Sequence, residues 1–261
     1  MVYVGGYKIK EVSSVFCARC EPGSRREMPE VLKCLKVAVV IPVYNEERYL
    51  GSLINKVLSR GEVNEVVAVD DGSTDGSALI LDSLAGKDVR LKVVRLEENS
   101  GKGTAVREGL KRVTGDVVII QDADLEYNPD DYPVLLKPFE NPAVQVVYGS
   151  RILGKANGIS YFSFAAGGIL LTLITNILYG VCITDEPTGY KVFRTKILKK
   201  IKLRSRGFEF CPELTAKIVR NGIKIHEVPI SYSPRKIYQG KKIRLKDGII
   251  AIWTLLRYRL S

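Results

Sequence analysis

Histidine is almost absent from this 261-residue chain: His226 stands alone. A Ser/His/Asp hydrolase or a histidine-rich metal centre would have to be built on that residue, and Lys224-Ile225-His226-Glu227-Val228 reads as a strand. Any acid–base or metal chemistry therefore falls to carboxylates. Cysteine is sparse and odd in number: Cys17, Cys20, Cys34, Cys182 and Cys211 are scattered, and no apolar signal-peptide core lies near the start. That pattern argues against a disulfide framework and for reduced thiols in a cytoplasm. Cys17-x-x-Cys20 has the spacing of half a zinc site, but no second pair follows, and Cys34 is a third ligand at best. Charge of either sign is missing between Lys155 and Asp185, an interval whose densest apolar part is Phe162–Ile183.

What is present suffices for one large α/β domain. The hydrophobic fraction is 46%, and 40 Lys and Arg stand against 29 Asp and Glu, a formal charge of +11. The basic excess favours anionic partners, whether nucleic acid, acidic lipid headgroups or phosphorylated substrates, and its sign does not choose among them. Residues Met1–Leu35 show no sustained period and carry a turn signal at Pro22-Gly23-Ser24, so residues 1–35 read as a poorly ordered leader.

From Lys36 the texture changes. Apolar, β-branched runs at Val37–Val43, Val63–Val69, Leu91–Leu96, Asp116–Gln121 and Val144–Gly149 predict strands. Helical spacing lies between them, at Glu46–Ser59, Asp75–Leu84, Gly103–Val113 and Asp130–Phe139. Beyond the uncharged interval the pattern predicts a strand at Tyr190–Phe193, a helix at Pro212–Asn221, a strand at Ile223–Ser231 and an apolar helix at Gly248–Leu260. Alternating strands and helices predict an α/β, Rossmann-like fold with a mostly parallel sheet covered on both faces. In such sheets ligands bind beyond the carboxyl ends of the strands, and that is where the polar clusters fall.

Three clusters stand out. Asp122-Ala123-Asp124 follows the fourth strand, so two carboxylates can reach one hard cation such as Mg²⁺ or Mn²⁺, although a solvated acidic turn would look the same. Asp70-Asp71-Gly72-Ser73 ends the second strand, where a carboxylate can accept from a base or ribose, or Ser73 or Asp75 can cap a helix. Asn99-Ser100-Gly101-Lys102-Gly103 opens a helix and suits an anion, without the spacing of a Walker loop.

Taken in order, Val40-Ile41-Pro42-Val43-Tyr44-Asn45-Glu46, Asp70-Asp71-Gly72-Ser73-Thr74-Asp75, Gly101-Lys102-Gly103 and Asp122-Ala123-Asp124 resemble glycosyltransferase family 2. Gly149-Ser150-Arg151, Asp185-x-Pro187-Thr188-Gly189-Tyr190-Lys191 and Phe208-Glu209-Phe210 resemble its dolichol-phosphate mannose synthase and polyprenyl-phosphate glucosyltransferase branch. The resemblance runs from about Lys36 to Tyr258. It implies a GT-A type fold and an inverting transfer of mannose or glucose from GDP-mannose or UDP-glucose to a polyprenyl phosphate, with Mg²⁺ or Mn²⁺.

Carried over, Pro42, Tyr44, Glu46, Val69, Asp71, Lys102, Ala123 and Glu126 would bind the nucleotide sugar. Relatives often have Gln where Glu126 stands. Asp122 and Asp124 would hold the metal and serve catalysis with Arg151 and Asp185. Arg151, Arg235 and Lys241 would grip the acceptor phosphate, the last two from a mobile loop. Relatives often have an acidic or other residue where Cys211 stands, and in many of them transmembrane helices follow the catalytic domain, whereas this chain stops at Ser261.

Phe162–Ile183 is long enough to span a bilayer, since ~20 apolar residues suffice. Arg151 before it and Asp185 after it belong to one expected site, which places both ends on one side. The segment is therefore expected as a helical hairpin or interfacial helices broken at Gly167-Gly168. The basic stretches Lys191–Arg206 and Arg235–Lys246, with Trp253 and Tyr258, suit an anionic bilayer surface. The expected layout is residues 36–247 as the catalytic domain, with a membrane-surface segment at 160–184, and 248–261 as an interfacial helix. Competing readings are a family 2 transferase with a different glycan or lipid acceptor, and a basic nucleic-acid-binding protein, whose binding would be tight and salt-sensitive.

Overall fold

The computed structural model describes residues 35–154, 162–198, 200–235 and 245–260. Lys241, Cys17, Cys20 and Cys34, and almost all of the expected leader, lie outside the described residues.

In chain order the elements are β1 (Val37–Val43), α1 (Glu47–Leu58), β2 (Val63–Asp71), α2 (Ser77–Ala85), β3 (Leu91–Leu96), α3 (Lys102–Arg112) and β4 (Val117–Ile120). They continue with α4 (Tyr132–Leu136), β5 (Val146–Ser150), α5 (Phe162–Tyr179), β6 (Lys191–Arg194), α6 (Thr195–Leu198), α7 (Phe210–Arg220), β7 (Ile225–Pro229) and α8 (Leu245–Leu260). The strands form one seven-stranded sheet in the order β3-β2-β1-β4-β6-β5-β7. All neighbours are parallel except β6, which runs antiparallel to both β4 and β5.

The apolar strands are buried on both faces, as in covered parallel sheets. One face packs Val39, Ile41 and Ile119 against Leu50, Leu53, Ile54 and Val57 of α1. The other packs Val40, Val67, Val69 and Val118 against Ala105 and Val106 of α3 and Leu214 and Ile218 of α7. Helix α3 sits so close that a Cβ on Gly109 would lie 2.6 Å from Val40 Cγ1 and 3.1 Å from Val69 Cγ2.

Two expectations are corrected. The helix expected over Asp130–Phe139 breaks into 3₁₀ turns at Pro129–Asp131 and Lys137–Glu140 around the short α4. Pro133 and Pro138 lack the N–H an α-helix needs, and each ring crowds the preceding turn. The hairpin expected at Gly167-Gly168 does not form: α5 runs unbroken from Phe162 to Tyr179. Glycine in a helix costs only about 1 kcal/mol relative to alanine. Here the Thr172 hydroxyl closes back on the Gly168 carbonyl at 2.9 Å, and Leu171 is buried with Ala216, Ala251 and Leu255. Near the end of α5 the Asn176 side chain turns the chain: it bonds both the N–H and the carbonyl of Ile183, at 3.1 and 2.8 Å. Among the described residues, no helix is long and apolar enough to cross a membrane.

Because Val40 and Val69 are backed by the rigid sheet, Gly109→Ala is expected to lower the unfolding free energy by about 1–3 kcal/mol, the usual cost of overpacking. Urea unfolding should show a lower midpoint at unchanged slope. An unchanged midpoint would mean that α3 lifts off the sheet freely.

Candidate functional site

The strands β1, β2, β4, β5 and β7 all end at one edge of the sheet, and β6 begins there, because its reversed direction pairs Lys191 with Ile120 of β4 and Tyr148 of β5. The order of the first four strands reverses at β1 and β4, the crevice where open α/β sheets take ligands.

The loops after β1 and β2 are laced together. The Asn45 N–H donates to Ser73 Oγ at 3.0 Å, and its side-chain oxygen accepts from the Thr74 N–H at 2.8 Å. Glu47 and Asp75 trade likewise: the Glu47 N–H reaches Asp75 at 3.1 Å, and the Gly76 N–H reaches Glu47 at 2.7 Å. Asp71, expected at the base or ribose, spends its carboxylate on the Ser100 and Gly101 N–H groups at 2.8 and 2.9 Å and is 3% exposed. The anion at the start of α3 is thus the chain's own. The Thr104 N–H is taken too, by the Arg206 carbonyl at 3.1 Å. Pro42 lies half-buried beside Val69, its β-ladder partner. The side chains of Val69 and Ala123, expected at the donor, pack into the core layers on opposite faces of the sheet. Tyr44 is half-buried at the end of β1.

The acidic loop follows β4. Asp122 Oδ1 is 2.5 Å from Lys102 Nζ, and Asp124 Oδ2 is 2.9 Å from Arg235 Nη2. Leu125, between Asp124 and Glu126, has φ 58°, a left-handed conformation strained for a leucine and common at functional loops. Glu126 is tied by Tyr232 Oη and the Arg235 N–H, both at 2.8 Å, and Arg235 Nη1 also reaches Glu46 at 3.0 Å. Arg235, expected on a mobile loop, is here a strap joining Glu46, Asp124 and Glu126. Four carboxylates (Glu46, Asp122, Asp124 and Glu126) thus surround two cations, Lys102 and Arg235. Burial, Asp122 and Glu126 push the Asp124 carboxyl up to about 7 against the pull of Arg235. Burial would lower the Lys102 ammonium, but Asp122, with Cys211 and Asp124, holds it above its usual range.

A second set of residues lies beside the first. Asp185 grips Arg151 in a fork: its oxygens accept from Nε and Nη2, each at 2.7 Å, and from the Arg151 N–H at 2.9 Å. Arg151 Nη1 keeps no protein partner among the described residues, and the guanidinium lies over the Tyr232 ring at 5.1 Å. Burial works against its charge, but Tyr127 and Asp185 hold the guanidinium well above its ordinary value. Gly189 closes the gap to the acidic loop: its N–H donates to Tyr127 Oη at 2.8 Å, and a Cβ there would meet Asp122 Oδ2 at 2.6 Å. Only glycine permits that approach.

Several contributors escaped the sequence reading. Tyr132 and Tyr190 both donate to the fully buried Gln121 beneath the acidic loop, at 2.8 and 2.7 Å. Glu227 accepts the Thr184 and Asp185 N–H groups at 2.7 and 3.1 Å. Glu213 is fully buried and accepts from Arg204 and Ser205 N–H and from Tyr258 Oη, which fixes the loop against the start of α3. Lys191, counted in a basic surface stretch, is 1% exposed. A lone charge inside the apolar run Tyr190–Phe193 was the available signal. His226 pairs with Val147 in the sheet, and burial, with Lys224, lowers its imidazole.

A sheet of this order, with an Asp-x-Asp loop after its fourth strand and cations turned onto it, is the GT-A architecture of sugar-transferring enzymes. The solved glucosyl-3-phosphoglycerate synthase of Mycobacterium tuberculosis, in complex with Mn²⁺, UDP and glucosyl-3-phosphoglycerate, superimposes with a TM-score of 0.68 at 22% identity, covering 87% of this chain and 81% of that one. Residues 38–202 match the model of glycosyl transferase family 2, and the chain belongs to that family. Its relatives lie in the branch that glycosylates lipid phosphates. The UDP-N-acetylglucosamine–dolichyl-phosphate N-acetylglucosaminyltransferase of Methanococcus voltae is 28% identical over 86% of this chain and 96% of its own length. The polyprenol monophosphomannose synthase of Mycolicibacterium smegmatis is 29% identical over 89% and 92%. The dolichol-phosphate mannosyltransferase of Pyrococcus furiosus is 30% identical over 87% and 64%.

The raised Asp124 carboxyl sets a pH dependence. Its usual value is 3.8, so between about pH 4 and pH 7 the folded, metal-free protein holds a proton that the unfolded chain releases. Stability contributed by that proton is complete below pH 4 and is lost as pH rises through 7. Urea unfolding in EDTA should show stability falling from pH 5 to pH 8, and Asp124→Asn should flatten the slope. An equal slope in the variant would assign the proton elsewhere.

Proposed function

We propose that the protein transfers a hexose, mannose or glucose, from GDP-mannose or UDP-glucose to a polyprenyl phosphate at a membrane surface, inverting the anomeric centre. One observation carries the lipid acceptor: the turn that bears Asp185 is bonded directly to an apolar surface helix. Thr172 of α5 accepts the Glu186 N–H at 3.0 Å. On the same helix Ile169, Leu173 and Ile177 are exposed, and on α8, packed beside it, so are Ile249, Trp253 and Leu260. Monomeric proteins rarely leave such a patch bare without use. Lys196, Lys200, Lys202, Arg204 and Arg206 are exposed on the preceding stretch, and near anionic lipid each basic residue contributes ~1 kcal/mol.

The donor set suits a divalent metal. Asp122 and Asp124 offer only carboxylate oxygens, the preference of Mg²⁺ and Mn²⁺. Among the described residues no group of three His, Cys, Asp or Glu side chains could hold an ion, so donor phosphate oxygens and water would complete the shell. When bound, the ion neutralises the charge developing on the nucleoside diphosphate. The chain's own residues do the rest. Lys102 and Arg235 already face these carboxylates and can turn to phosphate oxygens. The acceptor phosphate is anionic at neutral pH and needs no strong base. It needs relief from repulsion, which Arg151 Nη1 supplies, with Lys241 as a further candidate. Asp185 spends both oxygens on Arg151 and acts through it.

Purified protein should move labelled hexose from one nucleotide sugar into organic-extractable lipid phosphate, in a screen of GDP-mannose, UDP-glucose and UDP-N-acetylglucosamine. Transfer should stop in excess EDTA and return with Mg²⁺ or Mn²⁺. Asp124→Asn should cut it at least about 10²–10³-fold with the far-ultraviolet spectrum intact. Full turnover in EDTA would refute the metal assignment, and product confined to the aqueous phase would refute the lipid acceptor.

Trp253 is the chain's single tryptophan and reports on the apolar face. Its emission should shift to the blue on anionic vesicles. At 1 M salt, where the Debye length falls to about 3 Å, binding should weaken without vanishing, because apolar insertion persists. An unmoved spectrum with no co-sedimentation would exclude membrane docking through α8.

A further inference from the structure

We infer that Lys191 is a positioning residue for Arg151: it holds the turn that carries Asp185, and Asp185 aims the guanidinium. The turn Thr184–Gly189 is largely buried, with Asp185 3% and Glu186 and Thr188 0% exposed, so its backbone groups call for partners. Four of its N–H groups have side-chain acceptors. Thr184 and Asp185 donate to Glu227, Glu186 to Thr172 Oγ1, and Gly189 to Tyr127 Oη. Pro187 has none to give.

The Glu186 and Thr188 carbonyls on either side of that proline are a different case. Among the described residues one group alone donates to them, the Lys191 ammonium, at 2.6 and 2.9 Å. A single cation thus spans the proline and fixes the separation of two carbonyls, one of them on the residue next to Asp185. The ammonium is itself held over the Tyr148 ring, 4.2 Å from its centroid. A compact head with three donors on a flexible stem suits two carbonyls at this depth, where a planar guanidinium does not.

The consequence reaches Arg151 in one step. Asp185 holds Nε and Nη2, which leaves Nη1 to point where the turn directs it. Without Lys191 two buried carbonyls lose their donor, the turn shifts to find others, and the fork at Arg151 loosens. A displacement of about 1 Å at a positioning group can cost ~10²-fold in rate. The kinetic part rests on the proposed role of Arg151 at the acceptor phosphate, whereas the structural part does not.

Two readouts on Lys191→Met separate these parts. The first is the Arg151 Nε–H resonance in ¹⁵N-labelled protein, assigned by its absence in Arg151→Lys. The bond to Asp185 should protect it from solvent exchange in the native protein, and that protection should be lost in Lys191→Met. The second is kinetic: with a short-chain polyprenyl phosphate in detergent, the acceptor KM should rise at least about ten-fold, while nucleotide Kd by calorimetry stays within about two-fold. Leu53→Ala, a cavity in α1 on the opposite face of the sheet, should lower stability without altering this ratio of effects. If Lys191→Met does not fold, Lys191→Gln, which keeps two donors on a shorter stem, should show the same pattern in weaker form. A protected Arg151 resonance together with an unchanged acceptor KM overturns the positioning role. Loss of protection with an unchanged KM upholds the positioning and overturns the acceptor reading of Arg151.

Discussion

The reversed strand β6 is the constraint on which the site depends. A parallel strand at that place would deliver its first residue to the far edge of the sheet. Running antiparallel, β6 sets Lys191 opposite Ile120 and Tyr148, at the edge where β4 and β5 end. The turn Asp185–Tyr190 therefore arrives beside Asp122 and Arg151, which are distant in the chain. Gly189 sits against Asp122, and Asp185 closes on Arg151. Both contacts follow from one choice of strand direction between two hydrogen-bonded neighbours.

Around that edge the electrostatics are held off balance. Clustered carboxylates exceed the cations that face them, and the low polarisability of a buried cleft makes the excess costly. Lys102 and Arg235 relieve part of it by lying across Asp122 and Asp124. Asp122 faces Lys102, while Arg235 is shared among Glu46, Asp124 and Glu126. Arg235 also fastens the segment after β7 to Glu46, Asp124 and Glu126 at once.

The surface helices join this scheme through polar contacts. Tyr179 of α5 donates to the Leu255 carbonyl of α8 at 2.7 Å, and Tyr258 of α8 donates to Glu213 beneath the loop that caps α3. The apolar patch is therefore anchored to the framework at both the Asp185 turn and the Lys102 helix.

Much of this was legible in residue order. Runs such as Val37–Val43 and Val117–Ile120 can satisfy their backbone only in a covered sheet, and alternating helical spacing made that sheet parallel. Asp122-Ala123-Asp124 after a buried strand, and the pairing of Arg151 with Asp185 as one site, could be read from local pattern and from the resemblance to family 2. What local pattern could not reach was set by contacts far apart in sequence. Lys191 looked like one more basic residue in a charged stretch, because its partners are carbonyls brought in by a turn. Asp71 looked open to a ligand, because the amides that fill it come from a loop about thirty residues on. Gly167-Gly168 looked like a break, because the packing of α5 on α8 that outweighs glycine's weak helix propensity is written on another helix. Composition and periodicity determine which segments become strands and helices, since those preferences act within a few residues. The tertiary structure alone decided which polar groups face the cleft and which serve the chain itself, because a buried donor or acceptor takes whatever partner the folded backbone brings within reach.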